Sequence, residues 1–161
     1  MIREMQASDG SEIISIYQLG IETRIATFEK NAPDWTTWNQ RHLEHSRFVF
    51  EEEDSIFGWV ALSPISVREA YKGVAEISIY VHPDFWGKGI GNQLMATAIE
   101  SSEKHGIWTL VASIFADNLA SIHLHIKNGF REVGYRERIA QADGMWKNTI
   151  LFERRSKIVG I

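Results

Sequence analysis

The chain predicts a mixed α/β fold, with helices packed on a sheet, and three observations carry that expectation. An apolar run after an acidic turn marks a strand at Ile56–Leu62, and alternating apolar and polar residues mark another at Ala75–Val81, within Val74–His82. Apolar residues at helical spacing mark amphipathic helices, as where Leu94, Met95, Ala98 and Ile99 share one face of Gly91–Lys104. A glycine-rich turn, Gly87-Lys88-Gly89-Ile90-Gly91, joins that strand directly to that helix. Strands and helices interleaved in this way describe one mixed α/β layer structure rather than a bundle or a sandwich.

The elements follow in order. Asp9-Gly10-Ser11-Glu12 resembles a capping box, and Ile13, Ile16, Tyr17 and Ile21 continue it as a first helix. Pro33-Asp34 opens a second helical segment carrying Trp35, Trp38 and Leu43. Phe48–Phe50 and Ile56–Leu62 read as a strand pair joined through Glu51-Glu52-Glu53-Asp54, a solvated acidic turn rather than a metal site. Val74–His82 is the next strand, Gly91–Lys104 a helix and Ile107–Ile114 a buried strand. Ala120–Lys127 is a short helix that Gly129 ends. Phe130–Glu137 and Thr149–Glu153 are closing strands. The order β-α-α-β-β-β-α-β-α-β-β, without repeat or linker, predicts a single domain over residues 1–161.

Composition excludes several functions. With 161 residues, 44% of them hydrophobic and 24% charged, the chain can bury a sizeable core. A net charge of −4 argues against non-specific nucleic-acid binding. Cysteine is absent, which removes a disulfide framework, a thiol nucleophile and thiolate metal ligands. No apolar run is long enough to span a membrane, and Met1-Ile2-Arg3-Glu4-Met5 lacks an apolar signal core, so a cytoplasmic protein is expected. No metal is expected: His123 and His125 are two apart on a helix, and His42 and His45 have no evident third ligand.

The glycine loop follows a strand and opens a helix, which makes an anion cradle. Glycines admit close approach, successive N–H groups converge, and the helix dipole adds positive charge. Walker A spacing fails because Gly87-Lys88-Gly89 leads into Ile90. Dinucleotide spacing fails because the third glycine position is Asn92 or Leu94. Gly89 and Gly91 do fit the acyl-CoA loop Gln/Arg-x-x-Gly-x-Gly/Ala, with Trp86 at its first position. A bare glycine loop is also an ordinary tight turn.

A second motif lies in register with the first. Asn118-Leu119-Ala120-Ser121-Ile122-His123-Leu124-His125-Ile126-Lys127-Asn128-Gly129-Phe130 resembles the later acyl-CoA motif of GNAT N-acetyltransferases, Asn-x-x-Ala/Ser-x-x-Leu-Tyr/His-x-x-x-Gly-Phe. Ile21 to Glu29 followed by Trp35 and Trp38, Arg68-x-x-Tyr71, Glu76 to Val81, Leu124-His125 and Gly144-Met145-Trp146 resemble the phosphinothricin and methionine sulfoximine acetyltransferase family. The resemblance covers nearly the whole chain. It implies a central, mostly antiparallel sheet splayed at an acetyl-CoA site, and a homodimeric enzyme that acetylates the α-amino group of glutamate-like or methionine-like small molecules. Two departures stand out: Trp86 replaces Gln/Arg, which leaves the cradle to backbone groups, and Asn148 replaces an Asp near the substrate end.

The chemistry needs a bound thioester, a neutral amine, an oxyanion donor and a proton for the departing thiolate. Under the resemblance, Gly87, Lys88, Gly89, Ile90, Gly91 and Asn92 hold the pyrophosphate, and Ile79, Tyr80 and Val81 offer strand-edge groups to the pantetheine arm. Glu76 is the candidate general base, with a solvent-facing strand-end carboxylate as the alternative. His125 is a candidate proton donor or a packing residue, and Asn118 a pantetheine ligand or a helix cap. Arg68 is expected to clamp a carboxylate, with Phe28, Glu29 and Tyr71 lining the amino-acid pocket. Acetylation of a protein N-terminus or a polyamine, a non-catalytic CoA-binding module and a nicotinamide-binding domain are the alternatives.

Overall fold

A computed structural model describes residues 1–161. The strands are β1 (Ile2–Glu4), β2 (Phe48–Glu52), β3 (Ser55–Pro64), β4 (Val74–Val81), β5 (Thr109–Phe115), β6 (Arg131–Ala142) and β7 (Met145–Arg155). The helices are α1 (Gly10–Glu22), α2 (Trp35–Arg41), α3 (Ile90–Lys104) and α4 (Leu119–Lys127). Their order along the chain is the one predicted. One seven-stranded sheet runs β1-β2-β3-β4-β5-β7-β6.

Every neighbouring pair is antiparallel except β4 and β5, which are joined by the α3 crossover that a parallel pair requires. That parallel pair is short: only Val74–Glu76 faces Thr109–Val111. Beyond it, β4 stays paired with β3 as far as Val81↔Gly58, and β5 stays paired with β7 as far as Phe115↔Thr149. Each strand is held on its outer side while the inner edges part, so the sheet opens into a wedge. The backbone of residues 77–81 therefore has one edge without a strand partner.

The sheet is covered on both faces. Alternation along β3 sends Val60 and Leu62 to one side, where Leu94, Met95 and Ala98 of α3 meet them. Trp59 and Ala61 go to the other side, where Ile13 and Ile16 of α1 and Trp38 of α2 meet them. The acidic turn is a two-residue hairpin loop whose Glu53 and Asp54 have φ of 51° and 58°, the backbone a tight hairpin requires. No helix is long and apolar enough to cross a membrane.

Several local readings change. The Asp9–Glu12 capping box does not form: Arg3 takes the Asp9 carboxylate at 2.8 and 3.0 Å, and the Glu12 carboxylate accepts from the Ile56 N–H at 2.9 Å. Glu51 is not a free turn residue, because the same Arg3 fork donates to it at 2.8 and 2.9 Å. Leu43 lies beyond the end of α2, and β5 begins at Thr109 rather than at Ile107. β6 and β7 run well past Glu137 and start well before Thr149, because they pair with each other out to Ala142↔Met145, where core periodicity no longer marks them.

Candidate active site

The wedge between β4 and β5 opens into a cavity of about 930 Å³. Its walls are β4, β5, the N-terminus of α3, α4, and the segment between α1 and α2.

One end is the glycine loop. Gly87 and Gly89 have φ of 76° and 80°, and nothing lies within 4 Å of an added Cβ at either. These glycines are set by backbone conformation, not by crowding. Gly91 is different: its Cβ would touch Leu124 Cδ2 at 3.4 Å, so it lets α4 lie close. The first N–H groups of α3 have no partner within the helix and converge on this end of the cavity. Asn128 Nδ2 donates to Asn92 Oδ1 at 3.0 Å and ties α4 to the loop. Trp86, half exposed, lines the cavity and donates from Nε1 to the Val81 carbonyl at 2.8 Å. The residue that breaks the expected motif thus pins the loop to the end of β4. Lys88 stands off the cavity, its Nζ 4.2 Å from the Phe85 ring centre.

The other end gathers polar groups. Glu76 sits opposite Ser63 on β3, and both line the cavity. Glu76 is exposed, its carboxylate reaching solvent through the cavity, and the protein around that mouth still desolvates it enough to raise its pKa above the ordinary 4.5. Tyr17 of α1 and Tyr80 of β4 lie ring to ring at 4.9 Å. Burial holds both phenols protonated above the usual range, opposed by hydrogen bonding with the Thr27 side chain. Phe28 packs edge-on against Phe115 at 4.6 Å, and Glu29 faces Arg41 of α2 at 3.7 Å.

His125 is buried, with Nδ1 2.7 Å from the Ser121 carbonyl. A carbonyl only accepts, so Nδ1 carries the hydrogen. Burial pushes the imidazole pKa down, which leaves a neutral ring whose Nε2 lone pair has no partner. Asn118 caps α4, its Oδ1 accepting from the Ser121 N–H at 3.3 Å, while its Nδ2 donates to the Ile25 carbonyl at 3.2 Å. The amide thereby fastens the segment between α1 and α2 to α4.

The cavity thus brings together Phe28, Glu29, Glu76, Ile79, Tyr80, Val81, the glycine loop without Lys88, Asn92, Asn118 and His125. It does not include Arg68 or Tyr71, which lie exposed in the β3–β4 connection. Asn148 is likewise occupied elsewhere, its Oδ1 accepting from the Arg138 N–H at 2.8 Å between β6 and β7. Tyr17, Thr27, Arg41 and His42 are among the lining residues that the sequence did not mark as part of the site.

A left-handed glycine cradle at a helix N-terminus, an unpartnered strand edge and an elongated cavity between them fit acetyl-CoA: phosphates at the cradle, an extended amide arm along β4. When bound, it supplies an acetyl group activated as a thioester. The profile of the Acetyltransferase (GNAT) family matches residues 13–130, and the chain belongs to that family; it is an N-acetyltransferase. An L-methionine sulfoximine/L-methionine sulfone acetyltransferase of Pseudomonas paraeruginosa is 28% identical over 151 residues, covering 90% of this chain and 88% of that one. Among solved structures, a phosphinothricin acetyltransferase from Sinorhizobium meliloti in complex with acetyl-CoA superposes with a TM-score of 0.89 at 25% identity, covering 99% and 90% of the two chains. A ribosomal-protein-alanine N-acetyltransferase from Brucella melitensis superposes with a TM-score of 0.89 at 28% identity, covering 97% and 99%.

Proposed function

We propose that this enzyme acetylates the α-amino group of a small glutamate-like or methionine-like amino acid, of the phosphinothricin, methionine sulfoximine or methionine sulfone type, by direct attack of the amine on the thioester. The observation that carries the reading is Glu76, a carboxylate with a raised pKa inside the cavity whose far end is the glycine cradle. Glu76 takes the ammonium proton, through water where the two do not touch. The N–H groups of Ile79 and Val81, which alternate away from β3, donate to the developing oxyanion, a contribution of roughly 3–4 kcal/mol for one well-placed donor. The Gly87–Asn92 backbone holds the pyrophosphate, with Lys88 adding charge nearby. His125 completes the site as a buried imidazole that must first gain a proton before it can give one to the thiolate. Arg68 and Tyr71, exposed in the β3–β4 connection, stand outside the cavity and supply no group to this step.

The whole chain serves as one acetyltransferase domain, working in the cytoplasm as a homodimer. Trp146 of β7 and Tyr135 of β6, each more than half exposed and on the same face of that strand pair, supply apolar surface for a second copy. Thiol release from acetyl-CoA in the presence of phosphinothricin or methionine sulfone tests the substrate class. Turnover with neither, despite acetyl-CoA binding, would reject it. Acetylation of a protein N-terminus is the second reading, favoured by the likeness to the Brucella protein; an alanine-starting peptide in the same assay separates the two.

A further inference from the structure

We infer that Arg41 anchors the carboxylate of the acceptor, and that Glu29 occupies this arginine until the acceptor displaces it. This rests on the amino-acid reading and names the residue that would read the acid.

Four charged side chains line the cavity apart from histidines: Glu29, Arg41, Glu76 and Lys127. The two cations serve opposite ends. Lys127 adjoins Asn128, which is bonded to Asn92 of the glycine loop, so it belongs to the phosphate end. Arg41 ends α2 and belongs with Glu29, Tyr17 and Glu76: the Tyr17 phenol feels the charges of all three. A zwitterionic amino acid needs one fixed cation for its carboxylate and an anion near its ammonium. Arg41 and Glu76 are that pair, and no other arginine lines the cavity.

The contact between Arg41 and Glu29 is loose. At 3.7 Å it is too long for a hydrogen bond, and both side chains are about half exposed. By contrast, Arg3 spends its fork on two carboxylates at 2.8–3.0 Å. Arg41 thus keeps its parallel N–H pair uncommitted, which is the geometry a bidentate carboxylate takes. Trp38, one turn earlier on α2, also lines the cavity and has an indole N–H without a partner. Glu29 sits on the segment between α1 and α2, so its release on binding leaves the folded core untouched.

The test is steady-state kinetics with L-methionine sulfone and its carboxamide as acceptors, in the wild type and in R41Q, R41K, E29Q and R68Q. The wild type should prefer the acid. R41Q should raise KM for the acid about 10–100-fold, the loss of one charged hydrogen-bonded contact, and collapse the acid-to-amide ratio of kcat/KM. R41K should recover part of that ratio, since lysine keeps the charge and loses the fork. E29Q should lower KM for the acid by freeing the guanidinium. An unchanged ratio in R41Q, a ratio that collapses in R68Q instead, or a raised KM in E29Q would overturn the inference while leaving amino-acid acetylation standing. Turnover of neither acceptor by the wild type would remove both.

Discussion

His125 and Ser121 are locked by one hydrogen bond, from imidazole Nδ1 to the backbone carbonyl one turn earlier at 2.7 Å. The bond fixes the tautomer, and burial keeps the ring neutral. His42 is held the same way, Nδ1 to the Trp38 carbonyl at 2.6 Å, and its pKa is also lowered by burial, as is that of His45. A histidine whose pKa is lower in the folded state binds fewer protons folded than unfolded between that value and 6.5. Its stabilising effect is complete above 6.5 and is lost as pH falls below it. Glu76, raised above 4.5, acts in the opposite sense over the window just above that value, but it is one group against three. Denaturant unfolding should therefore show stability falling as pH is lowered through 6.5, and His125→Asn should flatten part of that slope. A slope unchanged in the variant would mean that His125 titrates alike in the folded and unfolded chain.

Glu76 carries the sharpest catalytic prediction. Because desolvation raises its pKa, the acid limb of kcat/KM should lie above the ordinary carboxylate value of 4.5. Glu76→Gln should lower turnover about 100-fold or more, remove that limb, and leave acetyl-CoA affinity near that of the wild type. Equal losses in turnover and in acetyl-CoA binding would instead make Glu76 a structural residue of β4.

The same contrast between local and long-range information runs through the sequence. The element order and the α3 face with Leu94, Met95 and Ala98 follow from periodicity, which is a local property. The glycine loop was legible because φ of 76° and 80° demands glycine whatever surrounds it. Features that depend on a distant partner were not. Asp9 has the residues of a helix cap, but Arg3 reaches it from β1. Asn118 reads as a cap, and it is one, yet its second role depends on Ile25, which is distant in sequence. Arg41 and Arg68 look alike along the chain. Only the fold puts one in the cavity and leaves the other on the surface.

The Arg3 fork should dominate the stability of the N-terminal edge. It joins β1 to Asp9 and to Glu51 of β2, and the Asp9 side chain is only 6% exposed. Arg3→Met would leave that carboxylate buried without its cation, at a cost of about 3 kcal/mol. Arg3→Met combined with Asp9→Asn should recover much of the loss, because the uncompensated charge goes with the aspartate. The double variant unfolding no later in denaturant than Arg3→Met alone would place the energy elsewhere in the edge.

Gly89 and Trp86 test the cradle in different ways. Gly89 is left-handed and nothing lies within 4 Å of an added Cβ, so Gly89→Ala meets no clash and only a backbone penalty, about 1–2 kcal/mol. The alanine can escape that penalty by relaxing toward negative φ, which turns the first N–H groups of α3 away from the phosphates. KM for acetyl-CoA should then rise while the acceptor KM moves little. Trp86→Phe keeps the aromatic ring and removes the indole N–H that reaches the Val81 carbonyl. The loss is one hydrogen bond, about 1 kcal/mol. Because Trp86 is 57% exposed, little apolar burial is lost with it. If the indole positions the loop, Trp86→Phe should also raise KM for acetyl-CoA, by up to about tenfold, with the melting temperature nearly unchanged. If the indole only packs, neither quantity will move, and the cradle will owe its shape to the two left-handed glycines alone.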